Sequence, residues 1–360
     1  MRLFEILSML VLSLTLISFF VSKAKRPRWM SFLPGLVVIF ALIHLILEGY
    51  RWQMVPAYVL SVITVLVMVR SFSMRAKAQD KKFSRFSSIL IIAGTILGLL
   101  MLIIGLVLCI YFPIFSIPEP TGPYAVGTRY FYWVDENRPD TYTETQDDYR
   151  EVSVQIWYPA ELSGAEETIS YMKKEAARAF AGFNNIPYFI IDHLQLVRTH
   201  SYMNADLAEH ESPFPIITYS TSGLMSSHMT LFEELASQGY VVLCIGHPYW
   251  NPFVYGGDGE IIPFDGQNEF YQAWWDEENA AVKEAKWMIT TAKTTEEQEN
   301  AQYLHNELKP IAIRDLKNWA EDIGFVLDEL EKMNKGDDFL AGSLNMERIG
   351  IIGFSKGGAA

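Results

Sequence analysis

The chain has 360 residues, with 29 Lys+Arg against 42 Asp+Glu and a formal net charge of −13; 50% of its residues are hydrophobic, 14% aromatic and 20% charged. Such a composition excludes a disordered chain, a collagen-like repeat and a disulfide scaffold. Its mean hydropathy is positive despite the charge, so the apolar residues must be segregated along the chain. Met1 to Phe112 carries 12 Lys+Arg and 3 Asp+Glu, and the remainder 17 and 39. The acidic remainder would repel phosphates, so no nucleic-acid partner is expected.

Four apolar runs lie in the basic part: Leu3 to Val21, Phe32 to Leu47, Trp52 to Val69 and Ile89 to Phe112. A spanning helix needs roughly 20 apolar residues. The first, third and fourth runs reach that length, and the second does so only with Trp29 or Tyr50 included. We expect four transmembrane helices over about 3–21, 32–47, 52–69 and 89–112. After Val21 come Lys23, Lys25, Arg26 and Arg28 rather than small residues, which reads as a retained helix and not a cleaved signal. Arg70, Arg75, Lys77, Lys81, Lys82 and Arg85 fill the third loop, whereas the second holds only Glu48 and Arg51. The positive-inside bias therefore places both basic loops inside, and the N-terminus and the C-terminal domain outside. His44 and Glu48, near the end of the second run, read as interfacial residues, and no site is assigned to them. Cys109 sits in a membrane run and Cys244 in a strand-like run, so no disulfide is expected. With no Cys pair, no H-E-x-x-H and no regular acidic loop, neither a metal nor another cofactor is expected.

Residues 113–123 (PIFSIPEPTGP) hold four prolines and read as an extended linker. Residues 124–360 read as one globular domain. Tyr124 to Val134 and Glu151 to Tyr158 alternate apolar and polar residues, an expected antiparallel pair. Glu161 to Ser212 is irregular, with short helical stretches. Then come a short apolar run, Pro215 to Tyr219, a helix over Leu231 to Gln238 stopped by Gly239, and a second run, Tyr240 to Ile245. Glu269 to Met333 is helical with breaks near Thr294 and at Pro310. Leu316, Trp319, Ile323, Val326, Leu327, Leu330 and Met333 share one face of its last part. Arg348 to Gly353 is a third apolar run. Strands alternating with helices predict an α/β fold with a mostly parallel sheet covered on both faces.

The third run ends in Gly353-Phe354-Ser355-Lys356-Gly357-Gly358, a G-x-S-x-G directly after a strand. A sharp strand-to-helix turn there would push the Ser355 hydroxyl out of the sheet, with glycines avoiding clashes on both sides. The opening turn of the helix offers free N–H groups to a developing oxyanion. Lys356 N–H is the first expected donor. The second would come from the loop after Pro215 to Tyr219, where Gly223 and Leu224 are the candidates.

Pro213 to Tyr219, Leu231 to Pro248, Asp258-Gly259, Ile323 to Leu330 and Arg348 to Gly358 together resemble the platelet-activating-factor acetylhydrolase-like branch of the α/β-hydrolases, which is itself similar to dienelactone hydrolases. Val154 to Ala160 and Arg198 to Asn204 resemble its opening strands and its pre-strand segment. The resemblance spans about residues 124–360. It implies a serine carboxylic-ester hydrolase with Ser355 as nucleophile. Three positions depart from the family pattern. Thr221-Ser222-Gly223 stands where Ser-His-Gly is usual, and Phe354 where His is usual. The sequence also ends five residues after Ser355, although elbow enzymes follow the order Ser, then Asp or Glu, then His. These residues therefore read as the front part of a longer protein, with the nucleophile strand left as an exposed apolar edge. No general base is assigned: His247 reads as structural, His200 and His228 have less support, and Asp322 and Asp328 read as solvated or packing carboxylates on a helix. The expected function is a membrane-anchored esterase acting on a small-molecule ester or lipid, with the membrane as its other partner. A thioesterase or serine peptidase of the same fold, or an inactive binding module, are the alternatives.

Overall fold

The computed structural model describes residues 2–21, 25–76, 85–143, 145, 147–221, 223–264, 276, 279–280, 283–284, 286–307, 310–336 and 339–360. Lys23, Lys77, Lys81, Lys82, Ser222 and much of the stretch after Glu269 lie outside the described residues. The chain divides into a helical unit, Met1–Phe115 with Phe189–Leu196, and a second unit, Ser116–Tyr188 with Val197–Ala360. The helical unit thus takes in a short segment that the sequence assigns to the globular part.

Helices α1 (Leu3–Ser18), α2 (Leu33–Ile43), α3 (Val55–Ala76) and α4 (Arg85–Tyr111) follow the four apolar runs. Among the described residues, three stretches are long and apolar enough to cross a membrane: Arg28–Glu48, Trp52–Arg70 and Ile89–Tyr111. The ranking of the first two runs is therefore the reverse of the expected one. Turns flanking α2, at Arg28–Phe32 and His44–Glu48, extend it to 21 residues. Helix α1 has 16 residues, or about 24 Å at 1.5 Å per residue. Leu12, Val37, Met54, Leu60, Leu102 and Cys109 form the inner core of the unit, while Ile46, Leu66 and Leu97 are more than half exposed on its outer faces. His44, near the end of the Arg28–Glu48 stretch, is fully buried within the helical unit. Its Nδ1 lies 2.8 Å from Glu48 and its Nε2 lies 2.7 Å from the Tyr58 hydroxyl. Nearby, buried Arg51 holds buried Glu5 at 2.9 Å, and Arg2 joins Glu5 at 3.0 Å. Charges this deep persist only when paired, and two carboxylates here meet two guanidinium groups.

In the second unit, strands β1 (Ala125–Pro139) and β2 (Tyr149–Glu161) form the expected antiparallel pair. The irregular region contains more strand than the sequence suggests: β3 (Thr168–Ser170), α5 (Lys174–Phe183), β4 (Arg198–Met203) and β5 (Asp206–Leu207). After them come β6 (Phe214–Thr221), α6 (Met229–Ser237), β7 (Val241–Gly246), the small ribbon β8 (Phe253–Tyr255) with β9 (Ile261–Pro263), α7 (Thr295–Glu307), α8 (Pro310–Lys335) and β10 (Leu344–Phe354). The large sheet runs β10-β6-β7-β2-β1-β4-β3, with β5 on β2. β10, β6 and β7 are parallel, and β2 lies antiparallel to both β7 and β1. Alternation along β2 serves both faces. Val152, Val154, Ile156 and Tyr158 join the core with Ile323, Val326 and Leu330 of α8, whereas Trp157 packs on Phe232 of α6 with ring centroids 4.7 Å apart. The end of the proline-rich segment is pinned rather than loose, because the Thr121 N–H and hydroxyl both donate to Glu234 of α6. Strand β10 lies at the sheet edge, with Ile351 63% and Phe354 55% exposed.

Candidate active site

Ser355 follows β10 directly and opens a tight turn, Ser355–Gly358. Its φ of +55° lies in the left-handed region, a conformation that costs a non-glycine residue about 1–3 kcal/mol and persists only where the surroundings enforce it. The neighbouring backbone enforces it here. A Cβ on Gly353 would sit 2.0 Å from the Gly357 carbonyl oxygen, and one on Gly357 would sit 2.0 Å from the Ser220 carbonyl oxygen. Ser355 itself is exposed, and among the described residues its hydroxyl has no hydrogen-bond partner.

Lys356, next in the turn, is tied down by its side chain. Its ammonium lies 2.6 Å from buried Asp315 and over the Trp250 ring, 3.2 Å from the centroid. The parallel register sets Phe354 opposite Thr221, so the loop leaving β6 borders the elbow. Within that loop the Gly223 N–H donates to Thr221 Oγ1 at 3.0 Å. The Leu224 N–H has no partner among the described residues. The structure thus brings Ser355, Lys356 and the 223–224 segment to one end of the sheet, and of the two loop candidates it occupies the N–H of Gly223.

A second constellation lies beneath the first. His247 Nε2 is 2.7 Å from Ser220 Oγ, and His247 Nδ1 is 2.8 Å from Asp322 Oδ2. The imidazole stacks on Trp319 at 4.0 Å, and Asp322 also receives Arg150 at 2.7 Å and Arg138 at 2.8 Å. Asp322 is therefore a packing carboxylate and not a solvated one. Asp328 is exposed on the same helix. Ser220, His247 and Asp322 are each 1% exposed or less, which denies a substrate any approach to this serine. No sequence signal marked Ser220 as a partner of His247, because the three residues come from β6, the turn after β7, and α8. Of the other two candidates, His200 Nε2 meets the Ile117 carbonyl at 3.0 Å, and His228 Nδ1 meets the Tyr219 hydroxyl at 2.7 Å while its ring lies 4.9 Å from that of Phe354, the residue before Ser355.

Burial by itself would raise the Asp322 carboxyl, yet the Arg150 charge and the hydrogen bonds from His247 and Arg150 hold it well below the usual carboxylate range. Burial pushes the His247 imidazole below its ordinary value, with Asp322 only partly opposing this. Neutral His247 then donates from Nδ1 to Asp322 and accepts the Ser220 hydroxyl proton at Nε2. A pH dependence follows. Below about pH 6.5 the unfolded chain binds the His247 proton more readily than the folded one does. This contribution is therefore fully present above that pH and is lost as pH falls toward the folded-state value, by up to about 1.4 kcal/mol per unit. Buried Glu233, with its carboxyl raised by burial, acts in the opposite sense, and comparison with a His247→Asn variant cancels it. Denaturant midpoints from pH 7.5 to 5 should show the advantage of wild type over His247→Asn shrinking as pH drops. A constant difference would exclude His247 as the titrating group.

Glu5, His44 and Glu48 bring possible ligand atoms within 4.8 Å of one another. Arg51 and Arg2 already occupy Glu5, and Arg2 lies 3.9 Å from Glu48. A divalent cation would face both guanidinium groups, so the cluster fits a charge-balanced packing role better than a metal centre.

The family model of platelet-activating factor acetylhydrolase, isoform II, matches residues 110–250, from the end of the last apolar run to the turn after β7. A ferulic acid esterase from Streptomyces cinnamoneus is similar in structure at 25% identity, with a TM-score of 0.45 over 68% of this chain; the chain spans 56% of the length of that protein. No curated protein matches. The globular part has a mixed, mostly parallel sheet with helices, and over the matched residues it resembles the platelet-activating-factor acetylhydrolase-like and dienelactone-hydrolase-like branch of the α/β-hydrolases.

Proposed function

We propose that this chain is a membrane-anchored serine hydrolase of carboxylic esters. One observation carries the reading: an exposed serine held at positive φ in a strand-to-turn bend whose glycines the adjacent backbone makes obligatory. Ser355 Oγ adds to the ester carbonyl, and the oxyanion is held by backbone N–H groups of Lys356 and the 223–224 segment. The hydroxyl proton passes to a general base, a role assigned to no residue described above. The carbonyl–oxygen bond of the leaving alcohol then breaks, the alcohol takes up the proton, and water hydrolyses the acyl-enzyme. Similarity to an acetylhydrolase family supports an ester as substrate. The apolar outer faces of the membrane-length helices support a lipid-surface location, which suits a phospholipid-like or other lipophilic ester. The basic loops between the first and second and between the third and fourth runs support an extracytoplasmic domain. The same elbow chemistry serves thioesters and peptides, and assays with matched acyl substrates separate these classes.

The test is labelling of the full chain in detergent with a fluorophosphonate probe. Wild type should label and Ser355→Ala should not, and ester turnover should fall by roughly 10⁶-fold, the loss seen when a triad serine is removed. Equal labelling of the two proteins would sink the proposal.

A further inference from the structure

The Gly223 N–H is taken by Thr221, and the Gly223 carbonyl is taken as well. Buried Asn251 donates from Nδ2 to the carbonyl oxygens of Thr221, at 3.1 Å, and of Gly223. Its other side-chain atom, Oδ1, accepts the His247 N–H at 2.7 Å. A turn with Tyr249 at φ +70° folds the chain back after β7 and sets Asn251 against the loop. Asn251 is 1% exposed, so both ends of its amide are spent on backbone groups.

A trans peptide points its C=O and N–H in opposite directions, and no peptide bond among the described residues is cis. Holding the Gly223 carbonyl toward Asn251 therefore turns the Leu224 N–H away from Asn251, in the loop that leaves β6 beside the end of β10, where register sets Thr221 opposite Phe354. We infer that Asn251 is a positioning residue that aims the Leu224 N–H as the second oxyanion donor. The residue itself touches no substrate. Its own support runs through the His247 backbone into the Asp322–Arg150 network, which gives the buried constellation a purpose: it holds the loop opposite the nucleophile. This inference rests on Ser355 being the nucleophile.

Leu224 has φ −70° and ψ +129°, a conformation proline adopts. Leu224→Pro thus deletes the N–H with little backbone cost at that residue. Asn251→Asp keeps the acceptor for His247 but replaces the donor to the two carbonyls with an oxygen. The rate of fluorophosphonate labelling of the full chain should fall about 10²- to 10³-fold in Leu224→Pro, as for loss of one oxyanion donor. In Asn251→Asp it should fall about 10²-fold, as for a misaimed group, while half-saturation by the probe stays unchanged. Asn251→Ala, which adds no charge, carries the same expectation should the aspartate variant not fold. The double variant Leu224→Pro/Asn251→Ala should label no more slowly than Leu224→Pro alone, because the N–H that Asn251 aims is already gone. A variant of Asn251 labelling at the wild-type rate, or a double variant slowed by the full product of the single effects, overturns the inference with Ser355 left in place. Equal labelling of wild type and Ser355→Ala overturns both readings.

Discussion

Asp322→Ala should destabilise the second unit by about 3–5 kcal/mol, the cost of leaving a buried charge without its partner. Asp322 is fully buried and takes Arg150, Arg138 and His247 on its two oxygens. Arg150 is 2% exposed, and its other carboxylate, Asp140, stands 3.7 Å away. A domain of this kind has a total stability of about 5–15 kcal/mol, so the variant falls near the edge of folding at 37 °C. Denaturant midpoints of the purified chain measure the loss. The companion change Arg150→Met in the Asp322→Ala background should recover part of it, since removing both members of a buried pair costs less than removing one. A loss below about 1 kcal/mol, the worth of an exposed pair, would mean that water reaches Arg150 and that the network is not a dry one.

The second large effect is expected at Gly357. An alanine Cβ there would sit 2.0 Å from the Ser220 carbonyl oxygen, an atom of the β6 backbone that cannot rotate aside. Either the elbow opens or β6 and β10 separate at their ends. Probe labelling of Ser355 should fall by at least about 10²-fold, since an ångström of misplacement is enough for that, and stability should fall by about 1–3 kcal/mol, as in other overpacked sites. Gly350→Ala provides the comparison on the same strand. Its Cβ would meet Ile217 Cγ1 at 3.7 Å and the Ile216 carbonyl oxygen at 3.9 Å, both ordinary contacts, and its labelling should match wild type. If Gly357→Ala also labels at the wild-type rate, the close packing of elbow on β6 is not what positions Ser355.

Both residues bear on how the site is assembled. The elbow is a local device: strand, glycine, serine, glycine and turn occupy consecutive positions, and steric rules acting within a few residues specify them. The buried network is the opposite case. His247 and Asp322 are 75 residues apart in the chain, and on a helix surface pattern an aspartate reads the same whether it faces water or an arginine. His44 illustrates the same limit, because its place near the end of an apolar run does not show that the helical unit encloses it.

The sequence alone therefore determined the apolar helices, the β1–β2 hairpin, the alternation of strands and helices, and the serine at the bend, all of which follow from short-range periodicity and from the conformational freedom of glycine. Only the tertiary structure decided that β2 runs antiparallel between β1 and β7, that Ser220, His247 and Asp322 meet out of reach of solvent, and that Asn251 grips the loop at Gly223. Those outcomes depend on which distant segments become neighbours when the two faces of the sheet are covered, and a hydrogen-bonding side chain carries no mark of its partner until packing removes the water that would otherwise satisfy it.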